Sequence, residues 1–139
     1  MQFWRALFCL VWVGATLGSP AEAKSPAPEF AVKSILQENL ARKFADRCPG
    51  IAFDHGGYDR HIRKRLADYS NRGVHARNIF KNFAPIQPHR YQRHVAEFST
   101  RHGLDGSSSM KDFCDAARAE MAARSPIGLM LKSAKAVGE

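Results

Sequence analysis

Residues 30–48 read FAVKSILQENLARKFADRC, and this stretch decides the fold class. Four of its apolar residues recur every four positions, namely Val32, Leu36, Leu40 and Phe44. Because an α-helix turns once in about 3.6 residues, this spacing puts them on one face and predicts an amphipathic helix over 30–47. Cys48 continues the series, so it should face inward where Pro49-Gly50 ends the helix.

The rest of the chain repeats the helical periodicity and shows no convincing strand pattern. Further helices are predicted over 58–71, 75–83, 88–102, 110–123 and 127–132. The intervening segment 51–57 should be an irregular connector, with Gly56-Gly57 marking a turn. We therefore expect an all-α fold, a single small helical domain of about five to six helices with one disulfide.

The predicted helices differ in how clearly they show a buried face. In the helix that starts at Pro88, we expect Tyr91, Val95 and Phe98 to be buried, with His94 and His102 near the edge of that face. Ser109 and Asp112 form a capping pattern that marks the start of the helix over 110–123.

The N-terminus has the pattern of a secretory signal peptide. One charge at Arg5 precedes a mainly apolar run over 6–17, and Ala21-Glu22-Ala23 places small residues where a signal peptidase cleaves. The apolar run is too short for the roughly 20 residues of a membrane-spanning helix. We expect a signal peptide over 1–23, a disordered leader over 24–29, the helical domain over 30–132 and a flexible tail over 133–139. The mature protein should be exported, periplasmic or secreted, with no transmembrane segment.

Cysteine usage changes when the signal is removed. Cys9 is lost with it, and Cys48 and Cys114 remain. In an oxidising compartment two such thiols usually pair, and each lies on the apolar face of a predicted helix, so we favour a Cys48–Cys114 disulfide. A bond closing a loop of this length stabilises a fold by roughly 4 kcal/mol in the chain-entropy model. A metal site or a reactive thiol is the alternative, although neither cysteine lies in a C-x-x-C pair.

The chain is basic, with 21 Lys or Arg against 13 Asp or Glu and a formal charge of +8. Most of the excess positive charge lies in residues 55–102, which also contain all six histidines. One interpretation is an anion-binding surface for nucleic acid, anionic lipid or an envelope polymer, strengthened at mildly acidic pH as histidines protonate. The other is a solvated basic face without a ligand. The anion-binding candidates are Arg60, Arg63, Lys64, Arg65, Arg72, Arg77, Arg90 and Arg93.

Motifs of catalysis or cofactor binding are not found. The sequence has no P-loop, G-x-G-x-x-G, H-E-x-x-H or G-x-S-x-G, and the histidine spacings suit a metal poorly. We predict no cofactor, no metal and no catalytic residue. An enzyme would need a polar pocket holding at least two of Asp54, His55, Asp59 and His61.

Several short motifs together resemble a known family. These are Asp46-Arg47-Cys48-Pro49, Phe113-Cys114 with Glu120, and the ending Ser125-Pro126-Ile127-Gly128-Leu129-Met130-Leu131. The chain is similar to an uncharacterised alphaproteobacterial family of small exported two-cysteine proteins, a domain of unknown function, over about residues 30–132. Phe113 stands where that family usually has Tyr, and Met130 where it often has Leu. The resemblance implies an all-helical periplasmic protein with a Cys48–Cys114 bond and implies no activity.

The function is not readable from these residues. Our leading hypothesis is a non-enzymatic binding or structural module of the periplasm whose partner is unknown, an envelope protein or a polyanion being the candidates. A polyanion-binding protein is the second hypothesis, and an enzyme is the third.

Overall fold

The computed structural model describes residues 24–73 and 83–134. Four predicted or terminal parts of the chain lie outside them: the signal peptide predicted over 1–23, most of the helix predicted over 75–83, the candidate Arg77 and residues 135–139. The described elements are β1 (Ser25–Pro26), α1 (Glu29–Arg47), β2 (Ile51–Phe53), α2 (His55–Asn71), β3 (Phe83–Ala84), α3 (Pro88–Arg101), α4 (Met110–Ala122), a 3₁₀ turn (Gly128–Met130) and β4 (Leu131–Ser133). The protein is therefore mostly helical, as predicted.

Helix α1 is the centre of the core. Of its predicted apolar face, Leu36 is buried, Leu40 is partly buried, and Val32 and Phe44 are fully enclosed. The Phe44 ring packs against Phe113 of α4 and Phe98 of α3, with distances between ring centroids of 4.6 Å and 6.0 Å. Aromatic pairs at such distances add to the free energy of apolar burial. The four-residue series thus joins three helices in one core.

The Cys48–Cys114 disulfide is present. Cys48 follows the last residue of α1, Cys114 lies in the first half of α4, and both are buried. Their Cα atoms are 5.4 Å apart, within the range that a disulfide spans. The bond fastens the end of α1 to α4 inside the core.

A short antiparallel ladder corrects the prediction of an entirely α-helical fold. β2 pairs with β4, with Ile51 opposite Ser133 and Phe53 opposite Leu131. The expected irregular connector at 51–53 is thus a strand, and the helix expected over 127–132 is a single 3₁₀ turn followed by a strand. A short isolated helix is marginal, whereas the ladder pairs backbone groups and buries Ile51 and Leu131 in the core.

The leader predicted as disordered also contributes structure. Ser25 and Pro26 pair in parallel with Phe83 and Ala84, and Ala27 is buried. Helix α1 then begins at Glu29. At the other end, Ser133, predicted as part of the tail, belongs to β4.

Helix α2 begins three residues earlier than predicted, at His55. Gly56-Gly57 is therefore helical rather than a turn. Gly57 is buried, and a Cβ atom there would overlap the carbonyl oxygen of Leu129. The first turn of α2 therefore approaches the 3₁₀ turn closely because residue 57 has no side chain.

Helix α3 buries Phe98 and half-buries Tyr91, as predicted, but its buried face is shifted away from Val95. His94 is buried with 7% exposure, whereas its neighbour Val95 is 36% exposed. The capping pattern at α4 is confirmed, since Ser109 and Asp112 exchange side-chain and backbone hydrogen bonds. No helix in residues 24–73 and 83–134 combines the length and apolar character needed to cross a membrane.

Candidate functional site

A polar concavity lies between α1, α3 and the turn that follows α4. We call it the α1–α3 cavity; its volume is about 140 Å³. Three separate parts of the chain line it: Lys33, Leu36, Gln37, Leu40, His94, Glu97, Phe98, Arg101, Glu120, Ser125, Pro126 and Ile127.

The inner end of the cavity is built on Glu120, which is 3% exposed. Nε2 of His102 donates to one carboxylate oxygen at 2.6 Å, and the hydroxyl of Ser125 donates to the other. The Ser125 oxygen also accepts the backbone N–H of Gly128 at 3.0 Å. These four residues form the Glu120 network.

The Glu120 network gives a structural role to the motif over 125–131, which it holds against the end of α4. Ser125 N donates to the carbonyl oxygen of Glu120, and a Cβ atom at Gly128 would overlap that same oxygen. Both hydrogen-bonding roles of the Ser125 hydroxyl are used in holding the turn.

A second charged cluster, the N-terminal clamp, ties the start of α1 to α3. The Glu29 carboxylate accepts hydrogen bonds from Arg90 and Arg93, each at 2.6 Å. These bonds, chiefly that from Arg90, hold the pKa of Glu29 at about 2 rather than its usual 4.5. Arg90 also donates to the carbonyl oxygen of Ala27 at 2.6 Å, so the clamp fixes the entry of the chain into α1.

His94 lies between the N-terminal clamp and the cavity. Its Nδ1 is 2.9 Å from Oε2 of Glu97, and the hydrogen bond lowers the pKa of that carboxyl. Its Nε2 is 2.8 Å from Oε1 of Glu29, but off the line that a hydrogen bond requires, so this contact is electrostatic. Two carboxylates thus compensate the burial of a histidine.

The predicted anion-binding residues do not form one surface. Arg90 and Arg93 belong to the N-terminal clamp, Arg65 donates to the buried Gln37 at 2.6 Å, and Arg72 lies over the Phe30 ring. The remaining described candidates share an exposed face of α2, which we call the α2 ridge: Arg60, Arg63 and Lys64. Arg60 on this ridge is 3.7 Å from Asp54.

The histidines contribute less to a charged surface than predicted. His61 is partly buried, and this burial, with the nearby Arg65 and Lys64, lowers its pKa. It therefore stays neutral at a pH where an exposed histidine would be charged. His94 and His102 are engaged by carboxylates inside the fold.

The four candidate acid and base residues lie apart from both cavities. The Asp54 carboxylate faces Arg60 and Lys132, His55 and Asp59 are exposed, and the His61 ring is partly buried. Asp59 and His61 are two positions apart in α2, which points them in different directions. Within the described residues, no group of three or more His, Cys, Asp or Glu could hold a metal ion.

The second cavity is largely apolar. Its volume is about 330 Å³, and it lies beside β1 and β3 against Ala31 and Ile35 of α1. No titratable side chain other than Lys24 lines it.

Sequence reasoning missed the α1–α3 cavity. In the sequence, Glu120 and Ser125 are recognised only as part of family motifs, and Gln37 only as part of the helical stretch over 30–48. One signal in the sequence was available. Glu120 lies among the alanines of α4, and a glutamate that is buried with them needs hydrogen-bonding partners.

Comparison with protein families gives one match. The family described as "Family of unknown function (DUF5333)" matches residues 27–132. Comparisons with curated proteins and with solved structures give no match.

Proposed function

The chain belongs to this family of unknown function, DUF5333, and we propose that it is an exported, non-enzymatic binding module that receives a small ligand in the α1–α3 cavity. The observation that carries this proposal is the lining of the cavity. Polar groups from α1, α3 and the turn after α4 meet there against buried apolar side chains, so the cavity offers a ligand both hydrogen-bonding groups and apolar surface.

The non-enzymatic part rests on how the reactive groups are used. Glu120 and Ser125 are engaged in the Glu120 network, and His94 is held by two carboxylates. General acid–base catalysis needs groups free to exchange a proton with a substrate. These side chains instead position helices and a turn.

The export part rests on the signal pattern over 1–23 and on the disulfide, which is typical of oxidising compartments. Its test is the intact mass of the protein recovered from the periplasm or medium of an expressing bacterium. The expected mass is that of a chain that starts at Lys24, less the two hydrogens lost when the disulfide forms. A chain that still begins at Met1, or that remains inside the cell, would contradict export.

Binding is tested with a defined mixture of small organic acids, amines, alcohols and sugars in saturation-transfer difference NMR. Wild-type protein should transfer saturation to at least one member of the mixture. Leu40→Trp should abolish the transfer because the larger ring fills the cavity, while Leu66→Trp, on the exposed side of α2, should preserve it. Transfer to no member, or equal transfer in Leu40→Trp, would refute the binding function.

A second candidate function is polyanion binding through the α2 ridge, favoured by the exposure of Arg60, Arg63 and Lys64 on one helix face. Such binding weakens steeply with salt because counterions are released. The Arg63→Gln/Lys64→Gln variant should leave a heparin column at lower salt than wild type, with Lys43→Gln/Lys111→Gln as the charge-matched control. Identical elution of all three proteins would exclude the ridge.

A further inference from the structure

We infer that the ligand of the α1–α3 cavity is a small organic carboxylate with a short branched aliphatic chain. This inference rests on the proposed binding function and adds the chemical class of the ligand. It follows from which hydrogen-bonding groups of the lining are already used inside the protein and which are not.

The acceptors of the lining are largely occupied. Both carboxylate oxygens of Glu120 receive hydrogen bonds within the Glu120 network. Oε2 of Glu97 is held by His94, and Oε1 of Gln37 accepts from Arg65. A ligand that donates hydrogen bonds, such as an amine, would compete with bonds that the fold already makes.

The donors of the lining are less committed. Among the described residues, no carboxylate oxygen lies within 4.0 Å of Nζ of Lys33. The exposed guanidinium of Arg101 is 3.7 Å from Glu120 and 5.8 Å from the centroid of the Phe98 ring. The side-chain nitrogen of Gln37 makes no hydrogen bond within the same residues, although Gln37 is 8% exposed. Two cations and an amide donor therefore line one cavity, which is the donor set that a carboxylate accepts from.

The remaining walls are aliphatic or aromatic. Leu36, Phe98 and Ile127 are each at most 5% exposed, and Leu40 completes this side. A cavity of about 140 Å³ admits only a small molecule. An apolar chain would displace water from these walls, which favours binding in proportion to the apolar area buried.

The carboxylates of the lining are already engaged inside the protein. Oε1 of Glu120 accepts a hydrogen bond from Nε2 of His102 at 2.6 Å, and Oε2 of Glu97 is 2.9 Å from Nδ1 of His94. Lys33 and Arg101 are the charges left to meet a ligand at the opening, where both side chains are exposed.

The probe for this inference is isovalerate, titrated into the full-length mature protein at constant ionic strength and followed by ¹H–¹⁵N NMR. Saturable shifts in the millimolar range should be confined to residues that line the cavity. Arg101→Gln and Lys33→Gln should each weaken binding about tenfold, because each removes a charge-assisted hydrogen bond. Lys43→Gln, an exposed α1 lysine outside the lining, should leave the affinity unchanged.

Isopentylamine, isopentanol and inorganic phosphate separate the contributions of charge and chain. The inference is overturned if either isopentyl compound binds as tightly as isovalerate, or if phosphate does, since the carboxylate or the apolar walls would then contribute nothing. It is also overturned if Lys43→Gln weakens binding as much as Arg101→Gln. Saturable cavity shifts with isopentylamine alone would refute the ligand class while leaving the binding function intact.

Discussion

At the residue scale, the fold depends on two glycines and one buried carboxylate. Gly57 and Gly128 lie where backbone carbonyl groups of Leu129 and Glu120 come so close that a Cβ atom would overlap them. Glu120 holds the turn that carries Gly128 through Ser125. Together these residues join α2 and α4 to the 3₁₀ turn, and with it to β4.

The approach of α2 to the 3₁₀ turn predicts opposite outcomes for two adjacent glycines. Gly57→Ala should lower the free energy of unfolding by about 1–3 kcal/mol, because the added methyl group forces the carbonyl of Leu129 away. Gly56→Ala meets only ordinary contacts and should raise it by up to about 1 kcal/mol through the lower entropy of the unfolded chain. Urea unfolding measures both. Equal losses in the two variants would contradict the close approach.

The Glu120 network predicts a cost for removing one hydroxyl. Ser125→Ala leaves a carboxylate oxygen of Glu120 and the N–H of Gly128 without their partner, so the free energy of unfolding should fall by about 1–3 kcal/mol. Ser70→Ala, on the exposed face of α2, is the control and should change it by less than about 0.5 kcal/mol. A loss in Ser125→Ala no larger than in the control would show that the network does not hold the turn.

At the element scale, α1 could be predicted and β2, β4 and the face of α3 could not. The four-residue series of α1 is local, and one segment alone determines it. β2 and β4 are three residues each, and their pairing joins Phe53 to Leu131 across most of the chain, which no local pattern encodes. In α3, hydropathy favours burial of Val95, but His94 is buried instead, with its ring nitrogens 2.8 Å from Glu29 and 2.9 Å from Glu97.

The contact between the start of α1 and α3 predicts a dependence on pH. Because the pKa of Glu29 is depressed, the ionised carboxylate stabilises the folded state above its unfolded value of 4.5, and this contribution is lost as the pH falls toward 2. Glu29→Gln should therefore be less stable than wild type at neutral pH, and the difference should vanish near pH 2. Urea unfolding across this range measures it. Asp68→Asn, which makes no ion pair within the described residues, is the control. A Glu29→Gln deficit that stays constant down to pH 2 would contradict the role of the N-terminal clamp.

At the scale of the whole molecule, the disulfide could be predicted and the cavity could not. The predicted loss of Cys9 with a signal peptide leaves Cys48 and Cys114, and the helical period predicts that both face inward. The α1–α3 cavity needs Lys33, Arg101 and Ser125 to converge from three distant segments. Its position depends on packing angles and on the turn after α4, which sequence periodicity does not specify.

The disulfide predicts the stability of the whole fold toward reductant. Reduction should lower the free energy of unfolding by roughly 4 kcal/mol, because the loop between Cys48 and Cys114 is no longer closed in the unfolded chain. Urea unfolding with and without reductant measures this difference. The Cys48→Ser/Cys114→Ser variant should be equally unstable under both conditions. Wild-type curves that coincide in the two conditions would contradict a stabilising bond.

We propose the α1–α3 cavity as the binding site of the protein. Intermolecular NOEs from the methyl groups of bound isovalerate locate that site most directly. Binding in the α1–α3 cavity predicts NOEs to the methyl groups of Leu36, Leu40 and Ile127, which line this cavity. NOEs to Ile35 and Ile86 of the apolar cavity beside β1, with none to Leu36, Leu40 or Ile127, would contradict it.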